Sequence, residues 1–325
     1  MRSFIVTGEL SGKHVVRAAI SAFPSLTAGQ LQKALKHKDI RIDGKKVSSD
    51  IEVFEGQEVQ VWLPDQLFEG GAPERSKPDI KNLYKVVAET DDIYIVNKSQ
   101  GVPVHGGKGV GEINLIDAVR KQTKNPNMDL CHRIDMNTGG LVMMAKNKAA
   151  LEDAIKLFKE DLLIKRYRCL VLGVPTEGED VICEDEAIMK EVSAFLEKSG
   201  NGVFIHDIKQ DGDLPITSRY RIVHVYKGAG PDRCDVADIE VELVTGRMHQ
   251  IRAQFAHMGY PIIGDGNYGR NKVNTFFKSL SGGKVRYQQL FATTLILRRI
   301  PKDNRHTGLS GRKFTIEPRY DVALK

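Results

Sequence analysis

No run of about 18 apolar residues occurs in this sequence, so it offers no segment long enough to cross a bilayer as a helix. Its start, MRSFIVTGELSGKH, lacks the extended apolar stretch of a secretory signal. Together these absences lead us to expect a cytoplasmic protein. Cysteine is scarce: Cys131, Cys169, Cys183 and Cys234 stand far apart, with no CxxC pair and no histidines at ligand spacing. Neither a disulfide framework nor a metal site is therefore expected. No repeat of fixed period is evident. The only glycine-rich candidate for a phosphate loop, GGKGVG at 106–111, follows no clear strand, lacks the G-K-[S/T] step and reads as a plain loop. No cofactor is expected. Trp62 is the single tryptophan, and its alternating segment suggests a place in the core.

What is present describes an ordinary globular chain. Of its 325 residues, 41% are hydrophobic and 28% charged, and the length allows two domains or one large domain with an appendage. The net charge is +6. From Arg270 onward there are 13 Lys and Arg against three acids, Asp303, Glu317 and Asp321. Such a surface attracts polyanions, although charge alone does not separate a nucleic-acid face from a merely soluble one.

Paired glycines, two prolines and scattered charge in QLFEGGAPERSKP, residues 66–78, mark a linker. We expect a small α/β domain over 1–64, a linker over 65–80, and a large domain over 81–325 that carries the chemistry. In the small domain, helical spacing over 31–35 precedes IRIDGKKV, a hairpin pattern turning on Asp43-Gly44, and then the alternating strand EVQVWL. Lys33, Lys36, Lys38, Arg41, Lys45 and Lys46 crowd the helix and the turn. This order of helix, basic hairpin and strand resembles the S4-like RNA-binding domain over most of residues 12–64, which implies an RNA contact through those six residues.

Beyond the linker, IYIV (93–96), YRCLVL (167–172) and DIEVELV (238–244) read as strands, and residues 151–163 as an amphipathic helix. Strands mixed with few long helices point to an α+β fold with a mixed, largely antiparallel sheet. Residues 176–215, acidic at their start, read as an excursion from that core without an assignable role.

The segment richest in chemistry is CHRIDMNTGGLVMMAK, 131–146, where Asp135 lies beside Arg133 and a turn, ahead of an apolar run. By itself Asp135 is open to three readings: general base, nucleophile, or half of a structural ion pair. Two distant segments join it, Lys165-Arg166-Tyr167 opening a strand and TGRMHQIR, 245–252, leaving one. The patterns H-R-I-D-x-x-T-G-G-L, K-x-Y and L-V-T-G-R-x-H-Q-I-R closely resemble the signature motifs of the RluA-type pseudouridine synthases. DIYIVNKSQGVPVH (92–105) and GYPIIGDGNYG (259–269) extend the similarity in the same order over about 85–300.

That resemblance implies an enzyme that isomerises uridine in structured RNA without a cofactor. Asp135 would be the catalytic carboxylate, as nucleophile or as base; Arg252, rather than Arg247, would hold it ionised; Tyr167 would stack on the target base; and Arg133 would fill the space that the base vacates. His132, Thr138 and Arg247 belong to the same motifs and are expected to handle RNA around the extruded base. The sequence departs from the family pattern at Ile134 for Leu, at Ser99-Gln100 after Lys98, and at Gly139 for Ser, the last of which should loosen a turn beside the aspartate. After Leu297 the resemblance fades. His249 and His257, eight apart, read as structural or substrate-adjacent residues.

The layout with an S4-like domain implies large-subunit ribosomal RNA as the leading substrate and transfer RNA as the second. Two other classes compete: a non-catalytic RNA-binding or ribosome-assembly protein, and a carboxylate-based hydrolase. An aspartate beside phosphates disfavours the former, and the lack of a second acid or a metal motif disfavours the latter. No association segment is evident, so we expect a monomer.

Overall fold

The computed structural model describes residues 1–68, 83–106, 113–199 and 202–324. The chain separates into two compact units, Met1–Asp79 and Ile80–Lys325. Among the described residues no helix is long and apolar enough to cross a membrane.

In the small unit, the helix Ala28–Lys36 begins three residues before the apolar spacing that signals it. Thr27 accepts from the amide of Gln30, and Gln30 returns the bond to the amide of Thr27, which closes a capping box. The strands Ile40–Ile42 and Lys45–Val47 pair across Asp43-Gly44, both at positive φ, as a two-residue hairpin turn requires. Ile40–Ile42 also pairs with Glu58–Val61, which pairs in turn with Arg2–Ile5. Lys33, Lys36, Lys38, Lys45 and Lys46 are exposed and Arg41 is half-buried. Trp62, expected in the core, is 44% exposed instead, with the Arg41 guanidinium 4.8 Å from its ring centroid. The alternation itself explains the difference: Val59 and Val61 are fully buried, so Trp62 shares the outward face with Glu58 and Gln60. At the start of the expected linker, Asp65–Phe68 forms a helical turn whose Phe68 ring packs on Phe23; residues 69–80 lie outside the described residues.

The large unit is built on a sheet with 12 described strands. Its middle runs Val236–Leu243, Leu163–Leu172, Leu290–Leu297, Gly139–Ala145, Ile93–Lys98 and Tyr84–Glu89. Every neighbouring pair there is antiparallel except Gly139–Ala145 with Leu290–Leu297. The α+β class with a mixed, largely antiparallel sheet is therefore observed. Helices Leu115–Thr123 and Lys148–Lys159 bury one face each in separate core clusters. The second of these was expected to run to residue 163. It ends at 159 because Asp161 takes a left-handed φ of 54° and Leu163 already starts a strand.

Residues 176–215 are not an excursion. Glu179–Ile182, Ile188–Ser199 and Gly202–His206 extend the same sheet through Leu214–Tyr226. Their acids face arginines of the central strands: Asp185 takes a bidentate pair from the buried Arg166, which also reaches Glu242. Those hydrogen bonds hold the Asp185 carboxyl down at about 2.

Candidate active site

The one parallel pair decides where the site forms. Parallel strands begin at the same end of a sheet, so residues 131–138, leading into Gly139, and residues 284–288, leading into Leu290, meet there. The antiparallel strand Ile93–Lys98 ends at that same edge. Three loops converge, and side chains tie them. Gln100 Nε2 donates to the carbonyls of Asn137 and Gln288, and Gln288 Nε2 donates to the hydroxyl of the buried Thr138. Two glycines permit the close approach. Gly140 has φ +112°, and a Cβ there would lie 2.2 Å from the Ala292 carbonyl; one at Gly139 would lie 2.7 Å from the Phe291 ring. Gly139 thus leads a buried strand packed under a ring, and the expectation that it loosens a turn is corrected.

Asp135 projects from the first loop with its side chain 28% exposed. Arg252 Nη1 donates to its Oδ2 at 2.9 Å. This arginine sits on the helix Gln250–His257 and is itself gripped by Asp265, Nε to Oδ2 at 2.7 Å and Nη2 to Oδ1 at 3.0 Å. Burial alone would weaken the guanidinium's hold on its proton, but the two carboxylates more than offset it and raise the pKa. Asp265, fully buried, would be raised by burial, yet Arg252 and the amides of Asn267 and Tyr268 bring its pKa below the ordinary value.

His249 flanks the helix at a left-handed φ of 54°, so it and His257 do not share a helical face. His257 pairs with Asp207 instead. The Tyr268 hydroxyl accepts from the amide of Val203 and is hydrogen-bonded to His249 Nδ1 at 2.9 Å. The other ring nitrogen, Nε2, lies 3.7 Å from Asp135 Oδ2. Burial lowers the His249 pKa while the Asp135 charge opposes it.

Tyr167 lines a pocket of about 330 Å³ together with Asp135, Arg133, His132, Arg247 and Arg252. A bulge between Arg166 and Tyr167, against Leu290–Leu297, re-aims the strand at this point. Burial, and then the charge of Asp135, push the phenol pKa up, so the ring is neutral and apolar in character. Arg133 and Arg247 are exposed at this pocket and make no ion pair among the described residues. His132 lines it with Nε2 already engaged: it accepts from the amide of Met143 at 3.0 Å, and burial and Lys165 bring its pKa down to about 4.

Sequence reasoning passed over three residues that hold the site. Asp265 stood in a quoted motif without a role. Lys98, 1% exposed, donates through Nζ to the carbonyls of Ser99, Val102 and Met136, and the last of these adjoins Asp135. Burial drives its pKa down to about 7, against the pull of Asp135. Gln100 was noted only as a departure. A buried cation just after an apolar strand was the one signal that could have drawn attention to Lys98. Of the glycine-rich loop at 106–111, residues 107–111 lie outside the described residues.

The geometry joins a carboxylate, a guanidinium that orients it, an aromatic face and exposed cations at one pocket. Comparison with known proteins agrees. The profile of the RNA pseudouridylate synthase family matches residues 92–257. The "Ribosomal large subunit pseudouridine synthase C" of Rickettsia bellii is 30% identical over 288 residues, 85% of this chain and 86% of that one. Its namesake in Vibrio cholerae is 27% identical over 277 residues, 82% of this chain and 80% of that one. The structure of human RNA pseudouridylate synthase domain containing 1 has the same fold, with a TM-score of 0.54 at 22% identity over 74% of this chain and 84% of that one. The chain belongs to the RNA pseudouridylate synthase family, enzymes that isomerise uridine in RNA.

Proposed function

We propose that this enzyme converts uridine to pseudouridine in large-subunit ribosomal RNA, with Asp135 as the reacting carboxylate. The reaction breaks the bond from N1 of the base to the ribose C1′, turns the base, and joins C5 to C1′. The C5 proton is lost and N1, released from the ribose, gains one, so product and substrate are isomers. Whether Asp135 attacks C1′ or removes the ribose 2′ proton, it must be ionised and fixed. The observation that carries the reading is the 2.9 Å bond from Arg252, itself locked by Asp265. Tyr167 offers its ring to the extruded base, a contact of on the order of 1–3 kcal/mol. Arg133, exposed in the pocket lining, would enter the stack that the base leaves, whose opening costs a few kcal/mol. The named activity of the bacterial relatives supports ribosomal RNA. The small unit, with its basic helix and hairpin, would add a second RNA contact.

The test is to map pseudouridine in the RNA of cells lacking the protein, complemented with wild type or with Asp135→Asn. Positions in large-subunit RNA lost in the deletion and restored only by wild type are the expected result. Losses confined to transfer RNA would overturn the substrate assignment, and no loss at all would overturn the activity.

A further inference from the structure

A second cleft, of about 890 Å³, lies beside the catalytic pocket between the segments 97–100, 284–291 and 316–323. Besides the buried Lys98, four exposed cations line it, Lys85, Lys284, Arg286 and Arg319. None of the four has an ion-pair partner among the described residues. Two carboxylates, Glu317 and Asp321, also line the cleft, and Asp321 accepts from Gln289 at 3.4 Å. Cations therefore outnumber acids in the lining.

The cleft is continuous in its lining with the active site. Arg286 and Tyr287 also line a smaller cavity that holds Asp135, Asn137 and Arg252. Tyr287 is held in position by packing on Gly101, where a Cβ would lie 2.5 Å from the Tyr287 hydroxyl. A nucleotide at Asp135 has left its stack, so the chain on either side of it is unpaired at that point. Open cations with an aromatic ring between them are what an unpaired ribose-phosphate chain binds.

We propose that this cleft receives the single-stranded segment flanking the target uridine, which leaves the catalytic pocket past Arg286 and Tyr287 and runs along Lys85, Lys284 and Arg319. The inference deepens the RNA-isomerase reading and rests on it.

The experiment uses the full-length protein and the double variant Lys85→Gln/Arg319→Gln, whose sites lie outside the catalytic pocket. Both proteins are titrated with in-vitro-transcribed large-subunit ribosomal RNA over a range of KCl, and single-turnover conversion is measured at saturating enzyme. The expected result is binding weaker by about tenfold at low salt. The slope of log affinity against log salt should be shallower by about 1.4, that is, two phosphate contacts at about 0.7 each for a single strand. The saturating conversion rate and the Tm should be unchanged, because the two side chains are exposed. Equal affinity and slope in the two proteins would overturn the cleft, whether or not wild type converts uridine. A shallower slope with no conversion by wild type would uphold the cleft and overturn the isomerase reading. Photocross-linking with 4-thiouridine-substituted RNA adds the strand test: cross-links from Tyr287 to unpaired nucleotides support the assignment, and cross-links to paired stems overturn it.

Discussion

Asp135 and Asp265 hold the same guanidinium: Arg252 gives two hydrogen bonds to Asp265 and one to Asp135. Their surroundings differ, since Asp265 is fully buried whereas Asp135 is 28% exposed toward the pocket. One carboxylate therefore fixes the arginine, and the other is left with an oxygen for chemistry. Asp265→Asn should remove most of that orientation. Arg252 would keep Asp135 as its remaining carboxylate partner, and loss of the buried charge-assisted bonds to Asp265 should cost about 1.5–3 kcal/mol of stability, read by urea denaturation. Conversion at saturating RNA should fall at least tenfold while RNA affinity holds. An unchanged rate would mean that Asp135 needs no such brace.

Gly139→Ala tests the packing beneath the catalytic loop. The added methyl would meet the Phe291 ring at 2.7 Å and Gln100 Cγ at 3.1 Å. Overpacking of this kind should destabilise by about 1–3 kcal/mol. Adding Gln100→Ala relieves only the second contact and also releases the carbonyls of Asn137 and Gln288. The double variant should thus recover little stability and lose further activity, and full recovery would place the strain at Gln100 alone.

How much of this was legible in the sequence depends on the kind of contact. The pairing of Arg252 with Asp135, 117 residues apart, followed from motifs that keep their order, and the Asp43-Gly44 turn followed from local backbone preference. Lys98 and Asp265 escaped because no periodicity says which carbonyl or guanidinium a buried charge will meet. Lys98 reaches Met136 because its strand pairs antiparallel with Gly139–Ala145, and Arg252 meets Asp265 where the chain returns after its helix, tertiary arrangements with no local signature. Trp62 is the opposite case. Its alternating segment suggested a core position, but period-two register with the buried Val59 and Val61 turns it outward. Residues 176–215 misled through their acids, which meet buried arginines such as Arg166 rather than solvent.

Lys98 gives a pH signature. Its pKa in the folded protein, about 7, lies below the ordinary 10.5, because burial disfavours the charged form. Between those two values the folded state binds fewer protons than the unfolded chain, so this residue's contribution to stability rises as pH increases through that window. Below about 7 the full cost of burying the ammonium is present. The difference in urea midpoint between wild type and Lys98→Met should therefore grow from pH 7 to pH 10 in favour of wild type. A difference that stays constant would mean that the three carbonyl bonds keep Lys98 charged throughout.

Trp62 provides a direct probe of the small unit. It is the chain's single tryptophan, exposed, with Arg41 over its ring and Lys45 and Lys46 on the strand that pairs with Ile40–Ile42. All intrinsic tryptophan emission therefore reports one point on the surface proposed to meet RNA. Titrating large-subunit RNA should change that emission saturably, and Arg41→Gln should weaken binding by about three- to tenfold while shifting the emission of the free protein, since it removes a contact of on the order of 1 kcal/mol at an exposed ring together with one phosphate-seeking charge. If the emission does not move while an independent assay shows RNA bound, this face of the small unit is not where RNA lies.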